Sequence, residues 1–482
     1  MSVAVASRPA CASGPLQRLE ALADRGTLQL LRTQARSRRL GGDARDGDGV
    51  LAGQLRIGGR PAFCYAQDSG FAGGSLGEAH AETIATVLGL AERARAPVVS
   101  FIESGGARLQ EGVAALCGYG RIFRSHVRLS GLVPQISIVC GPAAGGSSYG
   151  PALTDFVIMS SGAAMFLTGP AVVEAVMGER IDAAGLGGSS VHERNGVCHF
   201  TVEDEREGAR LARRLLGFLP QHAGGRPRSH PAQAPSGERP DRFVPAEARR
   251  VYDIRDVAGA LVDGGSLLEV SPRRARNLVC ALARFGGTAV GIVANQPRYF
   301  GGVLDAEAAQ KGARFVRTCD AFGLPLVVLV DTPGFLPGSA QERCGVIRDG
   351  AKLVHAFAHA TVPSVTVVLR KAFGGAFIAM NCKALGADYV FAWPQAQIGV
   401  MGAEQAVGII HRRELAGAAA QSLHERLAGR YAEAHLGVAV AAAEGAVDEA
   451  IMPAQTRERI IASLDSLREA ARAGQRVTNI PL

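Results

Sequence analysis

The chain has 482 residues, 47% of them hydrophobic, enough to bury a large core and to fill two or three domains of about 100–200 residues. Its net charge of +8 admits a polyanionic ligand, but no recognition helix, zinc finger or aromatic RNA-binding signature accompanies the arginines, so nucleic acid is not expected. Nothing approaches the roughly 18 apolar residues that cross a bilayer and no leader pattern opens the chain. The nine cysteines are scattered without a C-x-x-C pair, so a cytoplasmic protein with no membrane partner, disulfide framework or metal is expected.

Residues 1–45 read as an Ala/Arg-rich tail with one helix around Leu16–Arg39. Two short strands around the Gly58-Gly59 turn follow, then a loop over Gly70–Gly77 and a helix over Glu78–Ala94. Val98–Ile102 is an apolar run that reads as a buried strand, ending at Glu103-Ser104-Gly105-Gly106-Ala107-Arg108. Helices are expected over Gly112–Leu129 and Asp204–Leu219, the second closing a domain over residues 46–222. Residues 223–245, rich in Pro, Gly, Ser and Arg, read as a linker to a second domain over 246–482. There Leu278–Phe285, Thr288–Ala294 and Leu326–Asp331 predict strands, and Ala306–Phe322 and Gly350–Ala360 helices. Helix-rich sequence follows over Arg412–Gly437, with a final helix over Gln455–Ala473.

The most informative stretch is Pro363–Ala379, PSVTVVLRKAFGGAFIA. A β-branched strand runs into Arg370 and Lys371, and Phe373-Gly374-Gly375-Ala376-Phe377 then opens a helix. Bare backbone is thereby exposed where helix-start N–H groups lack partners and suit anions or oxyanions. The motif occurs twice, since Pro134–Gly146 (PQISIVCGPAAGG) aligns with Pro363–Gly375, 229 positions further on. Gly73-Gly74-Ser75-Leu76 aligns with Gly301-Gly302-Val303-Leu304, and Glu103-Ser104-Gly105-Gly106 with Asp331-Thr332-Pro333-Gly334, both 228 on. Three such blocks in one order imply two copies of a single α/β unit.

The runs GGSLGEAH (Gly73–His80), SGGARLQEG (Ser104–Gly112), Gly145–Asp155, Asn295–Pro297, RFVRTCDAF (Arg314–Phe322), Asp331–Gly338 and Lys371–Phe377 carry a resemblance over roughly residues 46–455. They resemble the carboxyltransferase β subunit of biotin-dependent acyl-CoA carboxylases of the propionyl-CoA and acetyl-CoA type. The resemblance implies an α/β fold built as a tandem duplication of two crotonase-like (ClpP/crotonase) domains of ββα superhelical units. It also implies transfer of a carboxyl group from carboxybiotin to the α-carbon of a short-chain acyl-CoA. Negative charge then develops on the thioester oxygen and on the biotin ureido oxygen, and each needs preorganised donors.

On the matching positions, Gly105 and Gly106 serve the acyl-CoA enolate and Gly375 and Ala376 the biotin. Ala107, Arg108, Gly145, Gly146 and Ile378 contact acyl-CoA, with Ile378 as an apolar wall of the acyl pocket, and Phe373, Gly374 and Gly334 contact biotin. The resemblance further implies a biotin carboxylase/biotin carboxyl carrier partner and a homo-oligomer, commonly a hexamer, whose working site joins the first domain of one subunit to the second of another. Because biotin can take the α-proton, no side-chain acid or base is required. Glu78, Glu103, Glu111, Asp331 and Glu342 are the acidic candidates.

Four other readings are weaker. Gly73–Gly77 and Gly146–Gly150 both fit G-x-S-x-G, but the repeat partners of Ser75 and Ser148 are Val303 and Phe377, so neither hydroxyl belongs to the duplicated design. Gly345–Lys352 imitates a P-loop without the Gly-Lys-Ser/Thr end. A decarboxylase running the same site in reverse and a non-catalytic scaffold remain as alternatives.

Overall fold

The computed structural model describes residues 14–469, except 236, 248–249 and 417–419, together with 478. The expected tail 1–13 and the end of the expected final helix beyond 469 lie outside the described residues. The chain divides into two compact units, the first within Met1–Pro227 and the second within Arg228–Gln475.

In the first unit, α1 (Pro15–Leu22) and β1 (Gln29–Leu31) precede the hairpin β2 (Val50–Ile57) and β3 (Arg60–Gln67). Then come α2 (Glu78–Ala94), β4 (Val98–Ser104), α3 (Val113–Leu129), β5 (Gln135–Ala144), α4 (Gly146–Ala152), β6 (Phe156–Ser160) and β7 (Ala164–Phe166). Helices α5 (Pro170–Met177), α6 (Ala183–Gly187) and α7 (Ser189–Asn195), strand β8 (Phe200–Val202) and α8 (Glu205–Phe218) complete it. The sheet order is β1-β2-β3-β4-β5-β6-β8, with β7 paired to the far end of β5. All seven residues of β4 are buried, as a parallel strand covered on both faces requires. Helix α2 presents Ala81, Ile84, Leu88 and Ala91 to the sheet at helical spacing, and it ends at Arg95 in a left-handed conformation (φ 50°). Each fully buried Leu or Ile here contributes about 1.5–3 kcal/mol.

The second unit repeats this plan. After α9 (Ile254–Leu261) come β9 (Leu268–Val270), β10 (Leu278–Phe285), β11 (Thr288–Asn295), α10 (Ala306–Ala321), β12 (Leu326–Thr332), α11 (Ser339–Cys344), α12 (Val346–His359), β13 (Ser364–Phe373) and α13 (Gly374–Ala379). Strands β14 (Tyr389–Ala392) and β15 (Gln397–Gly399), helices α14 (Ala403–Ile410), α15 (Ala420–His435) and α16 (Val438–Ala443), β16 (Glu449–Ala450) and α17 (Thr456–Ser466) follow. The order β9-β10-β11-β12-β13-β14-β16, with β15 on β13, matches the first sheet strand for strand. Even the irregularity is duplicated: the β4–β5 ladder shifts register between Ile102 and Ser104, and β12–β13 between Val330 and Thr332. Each bulge re-aims one carboxylate, Glu103 or Asp331, at the end of its strand.

Two expectations change. The helix expected over Leu16–Arg39 stops at Leu22, because Asp24 leaves it to accept hydrogen bonds from the Gly58 and Gly59 amides at 3.0 and 2.7 Å, and Gly26 (φ 73°) turns the chain into β1. The stretch read as linker is partly built in, since Pro240–Phe243 forms a 3-10 turn, Pro240 and Val244 are buried and the carbonyl of Pro245 lies 3.4 Å from an Arg370 donor.

Candidate active site

The two glycine corners carry the same backbone wiring. In the first unit the Leu76 amide donates to the Gly106 carbonyl (2.8 Å) and the Arg108 amide to the Leu76 carbonyl (3.0 Å). In the second, Leu304 donates to Gly334 (3.0 Å) and Leu336 to Leu304 (2.7 Å). These one-residue parallel bridges turn the amides of Ala107 and Phe335 to the opposite side. Among the described residues no backbone carbonyl accepts from either.

Beside each bridge a helix begins at a glycine in left-handed backbone, Gly145 (φ 59°) before α4 and Gly374 (φ 61°) at the start of α13. First-turn amides have no intrahelical acceptor, and those of Gly146, Ser147, Gly375 and Ala376 meet no other backbone carbonyl among the described residues. Each unit thus presents a strand-end amide and a helix-start pair, the donor set that an oxyanion needs. Gly375 is exposed, and a Cβ placed on it meets only the Phe335 ring, at 3.8 Å.

Several residues read from the sequence as binding or catalytic make hydrogen bonds within their own unit. The Gly105 amide donates to the Gly73 carbonyl at 2.9 Å and the Gly106 amide to Ser104 Oγ at 3.2 Å, so neither faces an open corner. The duplicate of Gly105 is Pro333, which has no N–H at all. Arg108 is buried rather than aimed at a ligand: its guanidinium donates to Asp48 (2.6 Å), Glu111 (2.8 Å) and the Ser75 carbonyl (2.9 Å). The Gly145 amide closes onto the Phe166 carbonyl at 2.9 Å, Phe373 is buried, and Gly334 donates to Thr332 Oγ1 at 3.3 Å. Ile378, on α13, is 47% exposed beside the open Gly375 corner.

Of the acidic candidates, Glu103 and Asp331 are buried and clamped by arginine, Arg18 at 2.6 Å and Arg370 at 3.0 Å. Burial pushes the Asp331 carboxyl above its usual range against the pull of Arg370 and Lys371. Glu78 pairs with Arg39, while Glu111 accepts from Ser37, Arg108 and the Glu78 amide. Neither G-x-S-x-G serine is poised as a nucleophile, because Ser75 donates to the Ala72 carbonyl and Ser148 to the Gly145 carbonyl, both at 2.7 Å. Lys352 of the P-loop look-alike is a helical residue paired with Asp349. Among the described residues no three His, Cys, Asp or Glu side chains are placed to hold a metal ion, and no helix is long and apolar enough to cross a membrane.

The sequence gives no signal for Tyr119, whose ring lies against Gly146, and it places Ala107 among the acyl-CoA contacts, where the structure leaves the Ala107 amide without a backbone acceptor among the described residues.

A family model described as the carboxyl transferase domain matches residues 9–479. The chain is 43% identical to the propionyl-CoA carboxylase beta chain of Saccharopolyspora erythraea over 97% of this chain and 90% of that one. It is 44% identical to the methylmalonyl-CoA decarboxylase subunit alpha of Veillonella parvula over 90% and 86%. Among solved structures, the hexameric transcarboxylase 12S with methylmalonyl-coenzyme A and methylmalonic acid bound superimposes with a TM-score of 0.93 at 43% identity, covering 98% of this chain and 92% of that one.

Proposed function

The chain belongs to the carboxyl transferase domain family, enzymes that move carboxyl groups on acyl-CoA thioesters, and from that premise we propose that each glycine corner holds one of the two oxygens on which charge develops. The amides of Ala107, Gly146 and Ser147 receive the thioester oxygen as the α-carbon loses its proton. In comparable holes the loss of one donor costs about 3–4 kcal/mol of barrier. The amides of Phe335, Gly375 and Ala376 receive the ureido oxygen of carboxybiotin, and the open space over Gly375 fits a flat ring approaching the backbone. When bound, carboxybiotin would supply the carboxyl group, and the biotin left once that group has departed would take up the α-proton. This chain then needs only to hold both oxygens and to fix the α-carbon in line, which accounts for the buried, arginine-clamped state of its strand-end carboxylates.

The observation carrying this reading is the duplication of the corner: one chain has two equivalent sets of outward amides, matching a reaction with two developing oxyanions. Intact left-handed glycines in both copies speak against a scaffold. The biotin is carried by a separate biotin carboxylase/carrier subunit, the oligomer is a homo-hexamer like the transcarboxylase core, and the substrate is a short acyl-CoA lined on one side by Ile378.

The test is carboxylation of acetyl-, propionyl- and butyryl-CoA by the purified chain with its cognate biotin subunit. Turnover of the short esters is expected, and no turnover of any acyl-CoA would refute the reading. The likeness to the methylmalonyl-CoA decarboxylase subunit supports a second direction for the same site. Loss of carboxyl from methylmalonyl-CoA outpacing carboxylation of propionyl-CoA would select it.

A further inference from the structure

Tyr119 projects from α3 against the first residue of α4, so close that a Cβ on Gly146 would come within 2.8 Å of its ring. The side chain is 5% exposed, and its buried hydroxyl makes no well-formed hydrogen bond among the described residues, although the side chains of Ser104 and Ser147 are near enough to act on it. A buried hydroxyl without a well-formed hydrogen bond is costly to keep and calls for an explanation. Two hydroxyls stand beside it. Ser104 Oγ holds the Gly106 amide at 3.2 Å, and Ser147 Oγ donates to the Ala144 carbonyl at 2.7 Å and reaches the Ser104 carbonyl at 3.3 Å. Burial raises the phenol's pKa, opposed by both serines, so it stays a neutral donor.

The second unit supplies the control. There the ring packed on the equivalent glycine, Gly375, is Phe335, which fills the slot from the strand-end side and carries no hydroxyl. Packing of an aromatic on the helix-start glycine is therefore common to both corners, whereas the phenol oxygen is peculiar to the first.

We propose that Tyr119 is a positioning residue for carboxyl transfer, whose hydroxyl closes onto Ser104 and Ser147 when acyl-CoA binds and so locks the Gly106–Ala107 segment against the start of α4. This deepens, and rests on, the reading of the first corner as the acyl-CoA site. Hydrogen bonds around a reacting centre are often long or absent until substrate tightens them. A small loosening of donors there costs on the order of 10- to 100-fold in rate.

The experiment is Tyr119→Phe in the full chain with its biotin-bearing partner. The expected result is a kcat about 10- to 100-fold lower with the acyl-CoA KM within about twofold, and a melting temperature unchanged or raised because a poorly satisfied buried hydroxyl is gone. Turnover within about twofold of the parent overturns the proposal, as does a loss of turnover that only tracks a loss of thermal stability. Hydrogen exchange of segments 104–108 and 145–149 with and without propionyl-CoA separates the two levels. Protection in the parent together with unchanged Tyr119→Phe turnover rejects Tyr119 and retains the site, whereas no protection in the parent rejects the site itself.

Discussion

Arg18 Nη2 donates to Glu103 Oε2 at 2.6 Å across 85 residues of sequence, joining the first helix of the chain to the end of the central strand β4. The second unit clamps the equivalent carboxylate differently. Asp331 is held by Arg370 of the neighbouring strand β13 at 3.0 Å and by the Tyr252 hydroxyl at 2.9 Å, while Arg370 Nη1 also donates to the carbonyls of Glu247 (3.0 Å) and Arg250 (2.8 Å). The residue aligned with Arg370 is Gly141, and a Cβ there would come within 2.9 Å of Glu103. In the first copy the glycine leaves its space to the Glu103 side chain, and the arginine comes instead from α1. The N-terminal helix is thus part of the corner's foundation.

Arg18→Met should consequently destabilise the first unit by about 3–5 kcal/mol, the cost of leaving a buried carboxylate unpaired. The double variant Arg18→Met/Glu103→Gln should recover much of that loss. Denaturant melts of the chain check both, and a double variant as unstable as the single one would show that α1 packing, not the ion pair, dominates.

Acid sensitivity follows from His80. Burial, reinforced by the Arg108 charge, lowers its pKa from 6.5 to about 3, so it stays neutral in the folded chain. The unfolded chain takes up a proton near pH 6.5 that the folded one refuses. The contribution of His80 to stability is therefore flat above that pH and falls below it by up to about 1.4 kcal/mol per pH unit until about pH 3. The duplicate position is Ala308, so the fold accepts a methyl there. His80→Ala should flatten the stability profile between pH 6.5 and 4.5 relative to the parent, as followed by urea melts at stepped pH.

The duplication and the two glycine corners were legible in the sequence because backbone conformation dictates glycine directly: Gly145 and Gly374 both take a positive φ, 59° and 61°. What stayed hidden depends on distant partners. Arg18 looks like one more arginine in an Ala/Arg-rich stretch until Glu103 is brought to it. Arg108 sits in a motif that reads as a binding loop, yet Asp48, 60 residues earlier, buries it. Tyr119 reads as an ordinary core aromatic of α3, and only its poorly satisfied oxygen sets it apart. Which of several adjacent amides faces outward is a matter of bridge register, which composition cannot encode.

Ile378 is expected to set acyl length. It is 47% exposed on α13, and shortening it with Ile378→Ala should move the ratio of kcat/KM toward longer acyl chains. The shift should be about 1–3 kcal/mol per methylene accommodated. Competition between propionyl- and butyryl-CoA measures it directly, and an unchanged ratio would remove Ile378 from the acyl pocket.

The two helix-start glycines should respond differently to substitution, and the contrast separates chemistry from packing. A Cβ on Gly375 meets only the Phe335 ring at 3.8 Å, an ordinary contact, so the fold has room for a side chain there. On Gly146 the same atom would lie 2.8 Å from Tyr119, whose ring is walled in by the core and cannot give way cheaply. Gly375→Val should therefore leave melting and oligomer size near the parent while placing a branched side chain over the amides of Gly375 and Ala376, lowering transfer by about 100-fold or more. Gly146→Ala should lose activity and about 1–3 kcal/mol of stability together, because overpacking displaces the ring. Parallel thermal melts and transfer assays on the two variants decide the matter. Full turnover in Gly375→Val would mean that the second corner's amides do not face the reacting ligand.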